Sequence, residues 1–260
     1  MPSSKCPLCG DTGFVISERD GYTSGRACEC QAVKRSSGLW ERAGVPPNFQ
    51  SDSFDNFRIS SVLEHPVAHR ILQQAMTIAA GYAMEFPAVD KPGLLFAGDA
   101  GCGKTHLAIA TARKLVDKGF EVSFWDFQTL LERIRASYDP ETRAANKDAY
   151  QSVLDAEVLV LDDLGAYRSS EWVEDIVTGI ITHRCNFRKP LIATTNLPDP
   201  EMGGVDITRA AEGSSAKYDL RKTLAEQIGM RARSRLFEMC TIVKMFGAPD
   251  YRVQRKQGTA

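Results

Sequence analysis

Gly98-Asp99-Ala100-Gly101-Cys102-Gly103-Lys104-Thr105, entered from Leu94-Leu95-Phe96-Ala97, is the stretch on which the fold turns. Its pattern is G-x-x-x-x-G-K-T, with a short apolar run before it and a helical pattern after it. Glycines let the backbone curl so that several N–H groups point inward. The amino end of the following helix adds partial positive charge at the same place. Both features favour a phosphate chain. Residues 98–105, with His106 just inside the helix, are therefore expected to wrap the phosphates of a nucleoside triphosphate. Lys104 is placed to bridge its β- and γ-phosphates, and Thr105 to hold Mg²⁺. A chance glycine-rich turn would not need strand, loop and helix in this order.

Outward from this loop, short apolar runs alternate with helical patterns. Strands are expected at 93–97, 122–126, 158–162, 191–195 and 241–245. Helices are expected over Val67–Met84, Lys104–Lys118 (ended by Gly119), Gln128–Tyr138, Ala144–Leu154, Glu171–Cys185 and Leu220–Met239, the last broken near Gly229. Strands alternating with helices imply an α/β fold, a parallel five-stranded sheet flanked by helices on both faces. Residues 199–219 are polar and glycine-rich and read as a loop. The chain divides into a small cysteine-bearing module (1–32), a linker (33–60) and a nucleotide-binding domain (61–260). Phe49, Phe54 and Phe57 in the linker are expected to dock onto that domain.

Val158-Leu159-Val160-Leu161-Asp162-Asp163 places two acids at the end of an all-apolar strand, as a buried parallel strand should be. This is where a Walker-B pair belongs. Asp162 would fix Mg²⁺, directly or through water, and Asp163 would orient and deprotonate the attacking water. The same acids could instead cap the turn before Gly165. Leu191-Ile192-Ala193-Thr194-Thr195-Asn196 ends another strand on a polar residue. Asn196 fits a sensor of the γ-phosphate, or a turn former ahead of Leu197-Pro198.

The 260 residues carry a net charge of −1, so no bulk basicity marks a nucleic-acid partner and any such surface must be local. No run of about 18 apolar residues is present, and no membrane-spanning segment is expected. Met1-Pro2-Ser3-Ser4-Lys5 leads into cysteines rather than an apolar stretch, so no secretory signal is expected and the chain is placed in the cytoplasm. Four of the seven cysteines, Cys6, Cys9, Cys28 and Cys30, form a C-x-x-C and a C-x-C pair separated by 18 residues. Two close pairs can close a Cys₄ zinc site, and a unit of about 30 residues needs a metal to fold. Free thiols or two disulfides are the alternatives, the latter opposed by a reducing compartment.

With these motifs in order, the chain resembles the AAA+ helicase loaders of the DnaC/DnaI type and the related IstB transposition ATPases. The resemblance runs over roughly residues 40–255. It is carried by Gly44-Val45-Pro46-Pro47-Asn48-Phe49 with Phe54-Asp55-Asn56-Phe57, the phosphate loop, Asp162-Asp163, and Thr194-Thr195-Asn196-Leu197. Ile228-Gly229-Met230-Arg231-Ala232-Arg233-Ser234-Arg235-Leu236 and Asp250-Tyr251-Arg252 complete it. The resemblance implies an ATPase that uses ATP and Mg²⁺ and self-associates through the ATP site. Arg231 matches the family's arginine finger, with Arg235 the next candidate, and Arg252 matches the second sensor arginine acting in cis. These arginines could otherwise be solvated or pair with local acids. Two positions depart from the pattern: Met230 stands where the family commonly has Glu, and Asp163 where AAA+ chains commonly have Glu. The chain ends about 15 residues after Met245, so no full helical lid is expected.

The resemblance further implies a replicative DNA helicase as partner, with the zinc module as a docking element, and contact with single-stranded DNA. Arg133, Arg135 and Tyr138 on the 128–138 helix could meet phosphates and a base. A plain amphipathic surface helix is the alternative. Between residues 209 and 256, 11 Lys/Arg stand against 5 Asp/Glu, a local excess of 6. Two other readings stand beside the loader: a transposition helper that works with a transposase, and an ATP-dependent adaptor with little hydrolysis.

Overall fold

The structure is a computed structural model that describes residues 6–19, 22–138, 149–202 and 222–252. Five short strands build the central sheet: β3 (Gly93–Ala97), β4 (Val122–Asp126), β5 (Val158–Asp162), β6 (Leu191–Thr195) and β7 (Cys240–Lys244). Their spatial order is β4-β5-β6-β3-β7, and every neighbouring pair is parallel. The expected strands and sheet type are therefore present, with the last strand one residue earlier than expected. Strands β3, β5 and β6 are buried at every position, which is why their sequences run apolar without alternation.

Alternate side chains of the buried strands enter two separate cores. Leu94, Phe96, Val158 and Val160 pack on one face with α2 (Pro66–Glu85) and α3 (Lys104–Asp117). Leu95, Ala97, Leu159 and Leu161 pack on the other. Their partners there include Leu130 and Ile134 of α4 (Phe127–Ala136), Val153 of α5 (Ala149–Asp155) and Val177 of α6 (Glu171–Asn186). Each such fully buried aliphatic or aromatic side chain contributes about 1.5–3 kcal/mol. Local signals set the ends of the helices. Asp126 caps α4 by accepting the N–H of Thr129 at 2.8 Å. Gly119, at φ 92°, ends α3, its N–H bonded to the Val116 carbonyl at 2.8 Å.

Near the carboxyl end, the break expected at Gly229 is present. Gly229 has φ 84° and ψ 150° and separates α7 (Leu224–Ile228) from α8 (Met230–Met239). Those angles lie in a region that essentially only glycine adopts, and a Cβ there would also displace the Glu174 carboxylate of α6. Part of the helix expected over 144–154 and most of the 199–219 loop lie outside the described residues. No helical lid follows β7 among the described residues.

At the amino end, β1 (Phe14–Arg19) and β2 (Tyr22–Ala27) form an antiparallel hairpin. The helix α1 (Glu29–Arg42) follows directly, and it runs through the boundary expected at residue 32. It packs on α3 and β4. Part of the stretch expected to be a linker is thus a helix, its Leu39 buried in the main core. Leu39 is the one buried residue among its 14, so it offers no apolar run like that of the core helices. Phe54 also enters the core, and Phe49 and Phe57 pack on it.

Candidate nucleotide-binding site

The carboxyl ends of the strands carry the site, as in other open parallel sheets. After β3 the chain curls through Gly101 (φ 73°) and Gly103 (φ 97°), a left-handed backbone that L side chains resist. Neither position has room for a side chain. A Cβ on Gly103 would lie 2.7 Å from the Phe57 ring, and one on Gly101 would run into the Asp250 carboxylate. Residues 100–106 line a cavity of about 770 Å³ together with Asp163, Asn196 and Arg252. That volume is ample for a nucleotide.

Lys104 is buried, and its ammonium donates to the carbonyls of Gly98 (2.9 Å) and Asp99 (2.8 Å). Among the described residues no carboxylate pairs with it. Its charge therefore remains available to an anion in the cavity. Thr105 donates to both oxygens of Asp162, at 3.0 and 3.2 Å. Thr194 donates to Asp162 at 2.7 Å and accepts the N–H of Asp163 at 2.8 Å. Adjacent oxygens around an octahedral Mg²⁺ stand about 2.9 Å apart, given Mg–O distances of about 2.0–2.1 Å. The Thr105 and Asp162 oxygens already have that spacing, so the residues present fit Mg²⁺. Burial pushes the Asp162 carboxyl up, the Thr194 hydrogen bond opposes this, and the Asp163 charge adds to the rise. A divalent cation would offset that cost of burial.

Asp163 itself is exposed on the cavity wall with φ 53°, a conformation Asp adopts more readily than most residues. Its neighbour Asp162 accepts from Thr105 instead. Asn196 lies at the end of β6 on the same wall. Gly98, Asp99 and Asp162 do not line the cavity; the first two accept from Lys104 and the third from Thr105. His106 lines the cavity, its Nε2 2.8 Å from the Ser53 carbonyl.

Two segments that are remote in sequence complete the cavity. Phe49, Asp52, Asp55, Asn56, Phe57, Arg58 and Ser60 form one side. In sequence this stretch shows its docking aromatics but not its place in a wall. The Ser53/Asn56 capping box, which holds the 54–56 turn, is the local signal that could have found it. Pro249, Tyr251 and Arg252 form the other side. That tail is tied to the loop by Gly247 N–H to Asp99 (3.0 Å) and Tyr251 N–H to the Gly101 carbonyl (3.1 Å). Arg252 therefore reaches the cavity of its own chain.

Arg231 and Arg235 do not line that cavity. Arg231 is exposed at the start of α8, and no partner for it is present among the described residues. Arg235 pairs with Glu238 at 2.7 Å. Arg233, between them, is locked. Its Nε and Nη2 grip Asp199 at 2.8 and 2.7 Å, Glu201 lies 3.1 Å away, and its guanidinium stacks on Phe237 at 4.1 Å. Burial works against the Asp199 charge, but the Arg233 hydrogen bonds overcome it and hold the carboxyl below its usual range.

On α4, Phe127, Leu130, Leu131 and Ile134 face the core while Arg133 and Arg135 are exposed. Arg133 stacks over Trp125 at 5.4 Å and Arg135 over Trp172 at 4.7 Å. Tyr138 is exposed.

The four cysteines of the amino-terminal module converge, with their Sγ atoms all within 4.8 Å of one another. Cys6 and Cys28 are 3.8 Å apart, and Cys9 and Cys30 are 3.4 Å apart. A tetrahedral zinc with Zn–S of about 2.3 Å requires S–S separations of about 3.8 Å, so the donors fit zinc. The hairpin buries little: β2 is exposed at every position, and Phe14 and Ile16 face solvent. Its folding energy must come from elsewhere, and a metal held by these thiols would supply it. Freshly purified protein is expected to hold one zinc per chain by metal analysis. Cys9→Ser should lose the metal and the folded hairpin while ATP affinity is unchanged. A metal-free preparation with an intact hairpin would refute the site.

The fold and this loop define a P-loop nucleotide-binding protein of the AAA+ class. The chain belongs to the family described as IstB-like ATP binding protein, whose profile matches residues 75–205. It is 23% identical over 163 residues to the replicative helicase loader DnaC of Escherichia coli K12, covering 63% of this chain and 62% of DnaC. It is 24% identical over 197 residues to YqaM of Bacillus subtilis, covering 72% of this chain and 59% of YqaM. The chain thus spans about three-fifths of the length of these curated relatives. The crystal structure of the DnaC helicase loader superposes with a TM-score of 0.58 and 27% identity, over 76% of this chain and 98% of that one. The crystal structure of DnaI gives 0.55 at 20% identity, over 77% and 94%, and shows the shared fold. No helix among the described residues is long and apolar enough to cross a membrane.

Proposed function

We propose that this chain is a helicase-loader ATPase that binds and hydrolyses ATP with Mg²⁺ in the cytoplasm and so controls its hold on a replicative DNA helicase and single-stranded DNA. The observation that carries the reading is the opposition of buried Lys104 to the hydrogen-bonded set Thr105, Asp162 and Thr194. In this reading the loop N–H groups and Lys104 hold the phosphates. Thr105 and Asp162 hold Mg²⁺. Asp163 and Asn196 position and deprotonate the attacking water, and Arg252 meets the phosphates from the same chain. Asp163 is shorter by one methylene than the usual Glu, so hydrolysis is slow and depends on assembly. In the assembled state Arg231 of one copy enters the ATP site of the next.

The exposed face of α4 takes single-stranded DNA, with Arg133 and Arg135 held by their indole partners to meet phosphates and Tyr138 stacking on a base. The zinc module, with Phe14 and Ile16 exposed, grips the helicase. The similarity to DnaC and the cysteine cluster favour a helicase over a transposase as partner.

The test has two arms. Lys104→Ala is expected to weaken ATP binding about 10- to 100-fold by calorimetry, the worth of about 1.5–3 kcal/mol for a hydrogen bond to a charged group. Turnover should be lost with it. Co-purification from the native cell is expected to recover a hexameric helicase with the wild-type chain. Recovery of a transposase instead would overturn the loader reading, and an unchanged Lys104→Ala affinity would overturn the ATP site.

A further inference from the structure

We propose that His106 and Arg113 are positioning residues that bolt one wall of the nucleotide cavity to the helix starting at the phosphate loop, and so set how tightly the ribose and base are held. The inference rests on the reading of the cavity as an ATP site. It gives His106 a role other than wrapping phosphates. It also adds Arg113, which no motif marks and which does not line the cavity.

The loop around Lys104 fixes one end of a bound nucleotide, its phosphates. The remainder lies along the sides of the cavity, against Phe49, Asp52, Asn56 and Phe57 from one segment and Tyr251 from the tail. The first of these segments belongs to no strand and carries only two short turns, Pro47–Phe49 and Phe54–Asn56. Its shape therefore depends on what holds it from outside. Phe54 drops into the core beneath it. At its far end the Ser60 carbonyl lies 2.8 Å from Nδ1 of His69 on α2, and Arg58 stands over the Tyr251 ring at 5.8 Å.

The middle of the segment is held by α3. His106 and Arg113 are seven residues apart on that helix, about two turns, and so share a face. His106 Nε2 lies 2.8 Å from the Ser53 carbonyl, and its Nδ1 lies 3.5 Å from Asp52 Oδ2. A carbonyl only accepts, so Nε2 carries the hydrogen. Both ring nitrogens are thus spent on the wall. The same ring meets Phe57 edge-on, with centroids 5.2 Å apart, and Phe57 in turn crowds Gly103 of the loop. Arg113 donates through Nη2 to the Gln50 carbonyl, while its guanidinium lies 4.6 Å over the Trp40 ring of α1. Two side chains of α3 thereby hold Gln50, Asp52 and Ser53. Because α3 begins at Lys104 and Thr105, the wall and the grip on the phosphates belong to one body. A wall fixed in advance needs no ordering when a nucleotide enters, whereas a loose one would take that cost out of the affinity.

Two probes separate this role from a direct hold on phosphates. ATP spans the loop and the wall, whereas inorganic tripolyphosphate meets the loop alone. Both are titrated with Mg²⁺ into the full chain by calorimetry. His106→Ala is expected to weaken ATP binding by about 3- to 10-fold, the range of one intramolecular hydrogen bond, and to bind tripolyphosphate as wild type does. His106→Gln, whose amide can donate to the same carbonyl, should recover most of the ATP affinity. Arg113→Met should repeat the His106→Ala pattern from outside the cavity, where no contact with the ligand could explain it. Retained tripolyphosphate binding also reports that each variant is folded. Equal losses for the two probes would overturn the inference and leave His106 a phosphate ligand. Wild-type ATP affinity in both His106→Ala and Arg113→Met would overturn it as well. Uptake of ATP but not of tripolyphosphate by the wild type would remove the loop as anchor, and the inference with it. Uptake of neither would instead remove the ATP site itself.

Discussion

Arg231→Ala is expected to lower ATP turnover of the assembled protein by about three orders of magnitude or more, the range for an arginine that meets charge developing on a transferred phosphoryl group. ATP affinity of the dilute chain should be unchanged, because Arg231 does not line its own cavity. Arg235→Ala should cost much less. Arg235 is already engaged with Glu238, and that exposed pair is worth little. The two arginines are not distinguishable in the sequence, where both sit in one Arg-x-Arg-x-Arg pattern. In the structure Arg231 has no partner among the described residues, Arg233 is locked on Asp199, and Arg235 makes an exposed pair with Glu238. The measurement is steady-state phosphate release against protein concentration. Wild-type turnover by Arg231→Ala at a concentration where wild type is assembled would remove the arginine from the mechanism.

Arg184→Leu is expected to destabilise the ATPase domain by about 3 kcal/mol and to lower its thermal midpoint by roughly 6–12 °C. Arg184 is fully buried on α6, with no carboxylate partner among the described residues. Its guanidinium instead donates to the carbonyls of Val153 (2.9 Å), Ala156 (3.1 Å), Glu157 (3.3 Å) and Pro190 (2.6 Å). It thereby joins the end of α5 and the approach to β5 to the start of β6. Burial pushes the guanidinium down to about 10, so it remains charged at neutral pH. Leucine would fill part of the space but leave these carbonyls without their donor. Thermal melting followed by tryptophan fluorescence checks the value, and a midpoint equal to wild type would show that the carbonyls find other donors. Nothing in the sequence marks this residue, because an arginine on a helix is ordinarily a solvated one.

Legibility followed the range of the interactions involved. The phosphate loop is readable because its chemistry needs consecutive residues: two left-handed glycines, a lysine and a threonine, fed by a buried strand. The Asp162 pair is readable for the same reason, and burial of β5 on both faces wrote itself as an unbroken apolar run. The helix α1 reads as linker, since most of its 14 side chains face solvent and its mean hydropathy is low. Residues 49–60 likewise show only their aromatics, because becoming a cavity wall depends on where α3 lies, some 50 residues later in the chain.

By itself, then, the sequence determined the parallel α/β sheet, the phosphate-binding loop, the paired aspartates and the grouping of four cysteines, all of them properties of residues near one another in the chain. Only the tertiary structure decided that Thr105, Asp162 and Thr194 form one hydrogen-bonded set, that the 49–60 segment and the 247–252 tail close the cavity, and that Arg233 alone of the three arginines on α8 is turned inward, onto Asp199. These depend on contacts across 30 to 150 residues of chain, and such contacts are set by how the two cores pack rather than by any local pattern of side chains.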